Sequence, residues 1–382
     1  LQEKDNFLIL KVDNKRRKEE VPTLNTDWWN YGGITRDVKI VEVAPTFIRD
    51  YFLQLDPANP NQLKGYVQLD GAARANQKIQ LLIPGLSFDN KLITNAEGYV
   101  SFQIPVRNLE RWSPANPKLY AVTFQTNEDT VTDHIGFRTI ATRRQDILLN
   151  GEPIFLRGIS IHEENPMRGG RAHSLEDARL LLTWARELGC NFVRLAHYPH
   201  NEHMVRLADE VGILVWEENP VYWTIAWENE ETYTNAANQL IEVISRDRNR
   251  ASVIIWSMSN ETPLSAPRLT FLRRLAQLAR SLDDTRLISA ALEQHSIEGD
   301  PLTRTIGDPF AEYVDVLSFN QYIGWYDGLP DKPGKITWKI TQDKPVIISE
   351  FGAGALQGLH GDRMARWTEE YQAYLYEETI VM

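Results

Sequence analysis

Cysteine is nearly missing from this chain: its 382 residues hold one, Cys190. A lone thiol closes no intrachain disulfide, and without a cysteine cluster the thiolate zinc sites are excluded. No stretch approaches the roughly 18 consecutive apolar residues of a membrane helix. Positive charge is in deficit, with 41 Lys+Arg against 52 Asp+Glu and a net charge of −11. Phosphate binding needs a basic surface, so this balance argues against a nucleic-acid partner. The first residues, Leu1-Gln2-Glu3-Lys4-Asp5, do not form a signal peptide. The chain therefore reads as soluble, cytoplasmic or periplasmic, without membrane or nucleic acid among its partners. Its start looks like the middle of something, which leaves the compartment open. Low-complexity tracts are absent too, as is any glycine-rich phosphate loop after a strand.

Aromatic residues, by contrast, are plentiful: 11 Trp and 14 Tyr. Their flat apolar faces with a polar handle suit sugars, although large cores use them as well. The length corresponds to two or three domains.

Residues 1 to about 142 read as β structure. Strand candidates fall at 7–12, 38–43, 65–69, 78–83, 98–104 and 119–124, separated by Pro, Asn and Gly turn signals. About 100 residues, 39–142, suit one immunoglobulin-like sandwich. Residues 1–38 are too few to bury a core of their own and read as the remnant of a larger β domain. From about 143 the rhythm becomes strand, then helix. Strands are expected at 155–160, 192–196, 213–217, 253–258, 287–290, 316–319 and 346–349. Helices are expected at 174–189, 202–211, 231–246 and 363–378, the first opened by Ser174 as N-cap. Apolar strands alternating with amphipathic helices imply a parallel sheet covered by helices.

Polar residues cluster just after these strands: His162, His197, Glu217-Glu218, Asn260-Glu261, Asn320 and Glu350. A (β/α)8 TIM barrel gathers catalytic groups at those strand ends. An α/β-hydrolase fold is excluded for want of a Gly-x-Ser-x-Gly elbow. Seven strands are countable over 143–382, with 379–382 the approach to an eighth. The barrel thus reads as lacking its last strand, and the chain as cut off at both ends. Glu261 and Glu350 each close an apolar run, on the fourth and seventh strands. Across a barrel mouth two such carboxylates can face one small substrate. Glycoside hydrolysis with retention needs that pair, about 5–5.5 Å apart.

These residues resemble family 2 glycoside hydrolases, the group of β-glucuronidases, β-galactosidases and β-mannosidases. Residues 28–36 (Trp28-Trp29-Asn30-Tyr31-Gly32-Gly33-Ile34-Thr35-Arg36) are similar to the end of its jelly-roll sugar-binding domain, and 39–142 to its immunoglobulin-like domain. Residues 149–158 are similar to the approach to its barrel. Arg194-Leu195-Ala196-His197-Tyr198-Pro199, Ser259-Asn260-Glu261 and Ser349-Glu350-Phe351-Gly352 are similar to its active-site strands. The resemblance implies that Glu261 is the general acid/base and Glu350 the nucleophile. It implies that Asn260 bonds the sugar 2-hydroxyl, that Tyr322 orients the nucleophile, and that Arg194 keeps it ionised. His162 and His197 would contact sugar hydroxyls, Glu218 would line the pocket floor, and Trp325 would belong to the substrate site.

Other readings stay open beside these. Arg194 could be a core salt-bridge partner and His197 a loop cap, and Glu217 and Glu218 compete for one inward position. Trp28 and Trp29 are expected in the β core, Trp216, Trp223 and Trp227 in packing, and Cys190 buried. His197, His200 and His203 lack the His-Glu-x-x-His spacing of a zinc site, so no metal is expected. No cofactor is expected either; the divalent ion that family galactosidases use near the acid/base has no support in this sequence.

Residues 318–326 and 350–360 lean toward the β-glucuronidases. A retaining exo-β-glycosidase for β-glucuronides or β-galactosides is the expectation, with β-galacturonidase or β-mannosidase as alternatives. The resemblance implies that a uronate carboxylate would be read by an Asn-x-Lys motif near the eighth strand, expected beyond residue 382. A noncatalytic carbohydrate-binding barrel is the rival of another class. The expected partner is a carbohydrate substrate, with a homo-oligomer left open.

Overall fold

The structure, a computed structural model, describes residues 6–382. Residues 1–5 of the expected first domain lie outside it. Residues 6–45 contain neither helix nor strand. The strands expected at 7–12 and 38–43 are therefore not formed, and Phe7, Ile9 and Val41 are exposed. High β propensity is insufficient there, because an extended segment without a neighbour has neither ladder bonds nor a covered face. The segment instead lies along the barrel. Val21 is buried in the barrel core; its N–H donates to Asn235 Oδ1 at 3.1 Å, and Gln239 Nε2 donates to its carbonyl at 2.6 Å.

Seven strands then form the sandwich. They are β1 (Thr46–Asp56), β2 (Asn59–Gly71), β3 (Lys78–Ile83), β4 (Phe88–Ile93), β5 (Tyr99–Pro105), β6 (Tyr120–Gln125) and β7 (Thr130–Ile135). One sheet has the order β1-β2-β5 and the other β4-β3-β6-β7, all antiparallel. Alternation sets the inner face: in β3, Ile79, Leu81 and Ile83 are fully buried while Lys78, Gln80 and Leu82 are not. Sequence reading missed β1, β4 and β7, whose edges mix charged and apolar residues.

Three short antiparallel strands, β8 (Ile140–Arg143), β9 (Asp146–Leu149) and β10 (Glu152–Pro153), lead to the barrel. Its seven strands occupy all seven of the expected places. They are β11 (Gly158–Ile161), β12 (Phe192–Leu195), β13 (Leu214–Glu218), β14 (Val253–Asn260), β15 (Leu287–Leu292), β18 (Leu317–Asn320) and β20 (Val346–Glu350). They pair in that order, all parallel. Strands β12 to β18 are buried on both faces, as helix-covered parallel strands must be. Between β11 and β20 the ring is nearly closed, and Ser160 Oγ donates to the Ser349 carbonyl at 3.4 Å. A small unexpected sheet of β16 (Gln294–Ile297), β17 (Asp300–Ile306) and β19 (Thr337–Trp338) branches off after β15.

The helices are α1 (Leu175–Glu187), α2 (Glu202–Val211), α3 (Glu230–Asp247), α4 (Ala266–Leu282) and α5 (Glu369–Val381). Ser174 and Asp177 close a capping box on α1. Gly212 ends α2 at φ +76°, where a Cβ would meet the Pro114 carbonyl oxygen at 2.5 Å. Helix α5 begins six residues later than expected and runs on through 379–381, which were read as the approach to a strand.

The sandwich grips the barrel by its N-terminal end. Arg138, 2% exposed, donates to the carbonyls of Ala251, Val253 and Thr285. Arg250 is paired with Asp133 and Asn249 Oδ1 accepts from Leu53 N–H. These three donated bonds make Arg138 a clamp, although burial and then the neighbouring Arg286 lower its proton affinity. Arg138→Met leaves buried carbonyls without donors and should cost about 3 kcal/mol or more. Thermal unfolding followed by circular dichroism should show a midpoint lowered by several degrees; an unchanged midpoint refutes the clamp.

Candidate active site

Side chains converge at the C-terminal ends of the barrel strands. On β12, Arg194 is 2% exposed and points inward. Its guanidinium donates to both oxygens of Glu218 at 2.9 Å, to Asn260 Oδ1 at 2.7 Å and to Glu350 Oε1. Burial works against this cation, but Glu218 and Glu350 outweigh it and raise its proton affinity. Arg194 thus does both things the sequence left open: it is a buried ion-pair partner, and it holds Glu350.

Alternation on β13 resolves the Glu217–Glu218 choice. Glu218 points inward and takes bonds from Arg194, Trp216 Nε1, Ser257 Oγ and the His197 ring. Although burial favours its neutral form, Arg194 and His197 pull its carboxyl down to about 2. Glu217 faces outward, beside Arg246 and Asp247 of α3, and burial raises its carboxyl well above the usual range.

Glu350, at the end of β20, is held at both oxygens. Arg194 takes Oε1, and the Tyr322 hydroxyl donates to Oε2 at 2.6 Å. The His197 Nε2 lies 3.4 Å from Oε1. Burial first, then Glu350, keeps the Tyr322 phenol protonated and therefore a donor. Asn260 Oδ1 accepts from both Arg194 and Asn320 Nδ2, which leaves its amide nitrogen as a donor for a ligand. Glu261 follows at φ +47° and is partly exposed. Its Oε2 accepts from Trp223 Nε1 at 3.2 Å. Arg194 bonds both Glu350 and Asn260, the residue next to Glu261, so the two carboxylates share one mouth.

His162 and His197 sit edge to face, their rings 5.4 Å apart. Burial, and then the neighbouring His197, lower His162 to about 4. Trp325 is buried at 7%, packed with Tyr371 and Leu375 and edge-on to Trp367. Its cluster also packs against Tyr322, and the Arg366 guanidinium lies over its ring at 5.4 Å.

Two groups were missed by sequence reading. Trp28, expected in a β core, instead packs tilted against the rings of His197 and Tyr198 and edge-on to Tyr222, at 4.9–5.7 Å. Trp29 is not in a core at all, being 72% exposed. Burial, and then the nearby Asp27, keep the Tyr222 phenol protonated, and among the described residues Asp27, His162 and His197 are the one trio able to hold a metal ion, their ligand atoms within 4.8 Å of one another. The signal was the Asp27-Trp28-Trp29 run itself. Tyr222 and Trp223 form the other group; their place four and five residues after β13, on a catalytic-face loop, was readable. His200 is buried with Nε2 on the Ala196 carbonyl, apart from that trio. Cys190, expected buried, is partly buried and packs against the barrel core.

The fold has counterparts in known proteins. The model of the TIM barrel domain of glycosyl hydrolases family 2 matches residues 140–380, and a second model, glycosyl hydrolases family 2, matches 46–138. The chain belongs to glycosyl hydrolases family 2. A beta-glucuronidase of Paenibacillus borealis is 30% identical over 378 residues, 91% of this chain and 60% of that protein. The beta-glucuronidase of Mus musculus is 29% identical over 378 residues, 92% of this chain and 55% of that one. Thus the chain spans little more than half the length of these curated relatives. The crystal structure of a β-galacturonidase from Eisenbergiella tayi bound to galacturonate has 28% identity and a TM-score of 0.83, covering 97% of this chain and 68% of that one. No helix among the described residues is long and apolar enough to cross a membrane.

The half-buried His162 makes acid stability testable. Between its ordinary 6.5 and about 4, His162 binds its proton more weakly folded than unfolded, so stability falls as pH falls through that window. About 2.5 units correspond to about 3 kcal/mol. Glu218 extends the loss below pH 4.5. The unfolding midpoint should drop from pH 6.5 to 4, and His162→Asn should flatten that slope; equal slopes refute the assignment.

Proposed function

We propose that this chain is the catalytic part of a retaining exo-β-glycosidase acting on terminal β-uronides, with β-galactosides and β-mannosides as neighbouring specificities. One observation carries the reading: Glu350 is gripped at both oxygens by Arg194 and Tyr322, in the mouth it shares with Glu261. The uronide preference is supported by the relatives, named as beta-glucuronidases and a β-galacturonidase.

The chemistry follows from those contacts. Arg194 and the Tyr322 hydroxyl each hold one oxygen of Glu350 and so fix the plane of its carboxylate. Glu350 attacks the anomeric carbon while Glu261 gives its proton to the leaving oxygen. A glycosyl ester on Glu350 results. Glu261 then takes a proton from water, the water attacks the same carbon, and configuration is retained. The free amide nitrogen of Asn260 bonds the 2-hydroxyl. His162, His197 and Asp27 bond the remaining hydroxyls, with Trp28 as the flat wall beside them. Glu218 stays ionised and keeps Arg194 and His197 in place. This route needs no cofactor and no metal; a sugar, not an ion, is the ligand of the Asp27, His162 and His197 trio.

Nitrophenyl β-glucuronide, β-galacturonide, β-galactoside and β-mannoside test the reading. At least one should be turned over, and Glu350→Ala should reduce that turnover roughly 10⁴-fold or more. Tyr322→Phe should lower kcat on the order of 10²-fold, with KM little changed. A folded protein that binds sugars but hydrolyses none of the four contradicts the proposal and favours the noncatalytic barrel.

A further inference from the structure

Trp223 is the most unusual residue beside the two carboxylates. It sits at φ +52°, where a bulky side chain is a genuine outlier, and it is 38% exposed. Its contact partner Glu261 is also left-handed, at φ +47°. Two such backbones meeting at one contact require support, and the support is visible. Asn260 N–H donates to the Val221 carbonyl at 2.9 Å, and Trp223 N–H returns a bond to the Asn260 carbonyl at 3.1 Å. Tyr222 pairs with Asn260 as an isolated parallel bridge. From the other side, Glu261 N–H donates to the Ala291 carbonyl at 3.1 Å. The stitched loop carries the Trp223 indole to Glu261 Oε2, at 3.2 Å, with the Tyr222 ring 4.5 Å away as backing. Packing does not explain the residue: an indole placed for the core would be buried, as Trp216 and Trp256 are.

We infer that Trp223 is a positioning residue for Glu261: its indole N–H holds one carboxyl oxygen so that the other delivers its proton to the leaving oxygen. The inference rests on the two-carboxylate reading and adds a part for the loop after β13. Glu350 has two donors, whereas Glu261 has this one side-chain donor among the described hydrogen bonds, so its aim depends on Trp223. An oxygen fixed by the indole cannot turn into the leaving group, so the proton travels from a defined side. No proton moves to or from Trp223 itself.

Leaving groups of different acidity separate positioning from structure. A 2,4-dinitrophenyl leaving group departs without a proton, whereas a phenyl leaving group needs one. With the sugar the natural protein turns over, Trp223→Phe should lower kcat/KM for the phenyl glycoside on the order of tenfold. It should leave the dinitrophenyl glycoside within about twofold. Trp223→Tyr, which keeps a donor on an aromatic ring, should recover part of the loss. Equal losses on both substrates, or none on either, overturn the inference. A second readout is independent of turnover: the Trp223 indole N–H resonance should move on Glu261→Gln, and an unmoved resonance overturns the contact even if every glycoside is hydrolysed. Failure of the glycosidase reading itself would show differently, as wild-type protein inert toward dinitrophenyl glycosides.

Discussion

One guanidinium organises the mouth of this barrel. Arg194 is buried, yet its donors reach Glu218, Glu350 and Asn260 from three other strands. A buried cation is costly unless paired and fully bonded. Here two carboxylates supply the charge and an amide oxygen takes a further donor. Each partner is then fixed in turn. Glu218 is locked by Trp216 and Ser257, Asn260 by Asn320, and Glu350 by Tyr322. The planar fork of arginine suits this spread of acceptors, which a lysine ammonium would meet with a single point of charge. The orientation of Glu350, the free nitrogen of Asn260 and the ionisation of Glu218 all depend on it.

The opposite end of the barrel has its own buried polar layer with another purpose. Arg138, Arg250 and Arg286 meet backbone carbonyls, Asp133 and Asp283 at the start of the strands. None of these groups faces the strand ends where Glu261 and Glu350 lie. The sandwich holds the barrel from below, while the loops above remain free to be strained. The two left-handed residues Trp223 and Glu261 sit in that upper layer, and their strain is tolerated because the strands beneath are fixed.

Barrel strands and their terminal polar residues were legible in the sequence because each is a local pattern: an apolar run closed by a charge. All seven lay where the pattern put them, and the inward choice of Glu218 needed only the alternation of β13. What was not legible depends on partners far away in the chain. Residues 7–12 and 38–43 have strand composition but no neighbour to pair with. Trp28 looked like core because its true partners, His197 and Tyr222, are about 170 and 190 residues distant. Trp223 looked like packing, since its partner Glu261 comes from the following strand and its backbone strain has no compositional sign.

The central claim is that Glu350, held by Arg194 and Tyr322, forms a covalent bond to the sugar. Its most direct test is mass spectrometry after incubation with a 2-deoxy-2-fluoro-β-glycosyl fluoride of the preferred sugar, which forms the ester quickly and releases it slowly. The account predicts a single adduct on the peptide containing Glu350. An adduct on Glu261, or an unlabelled protein that still turns over its substrate, would contradict it.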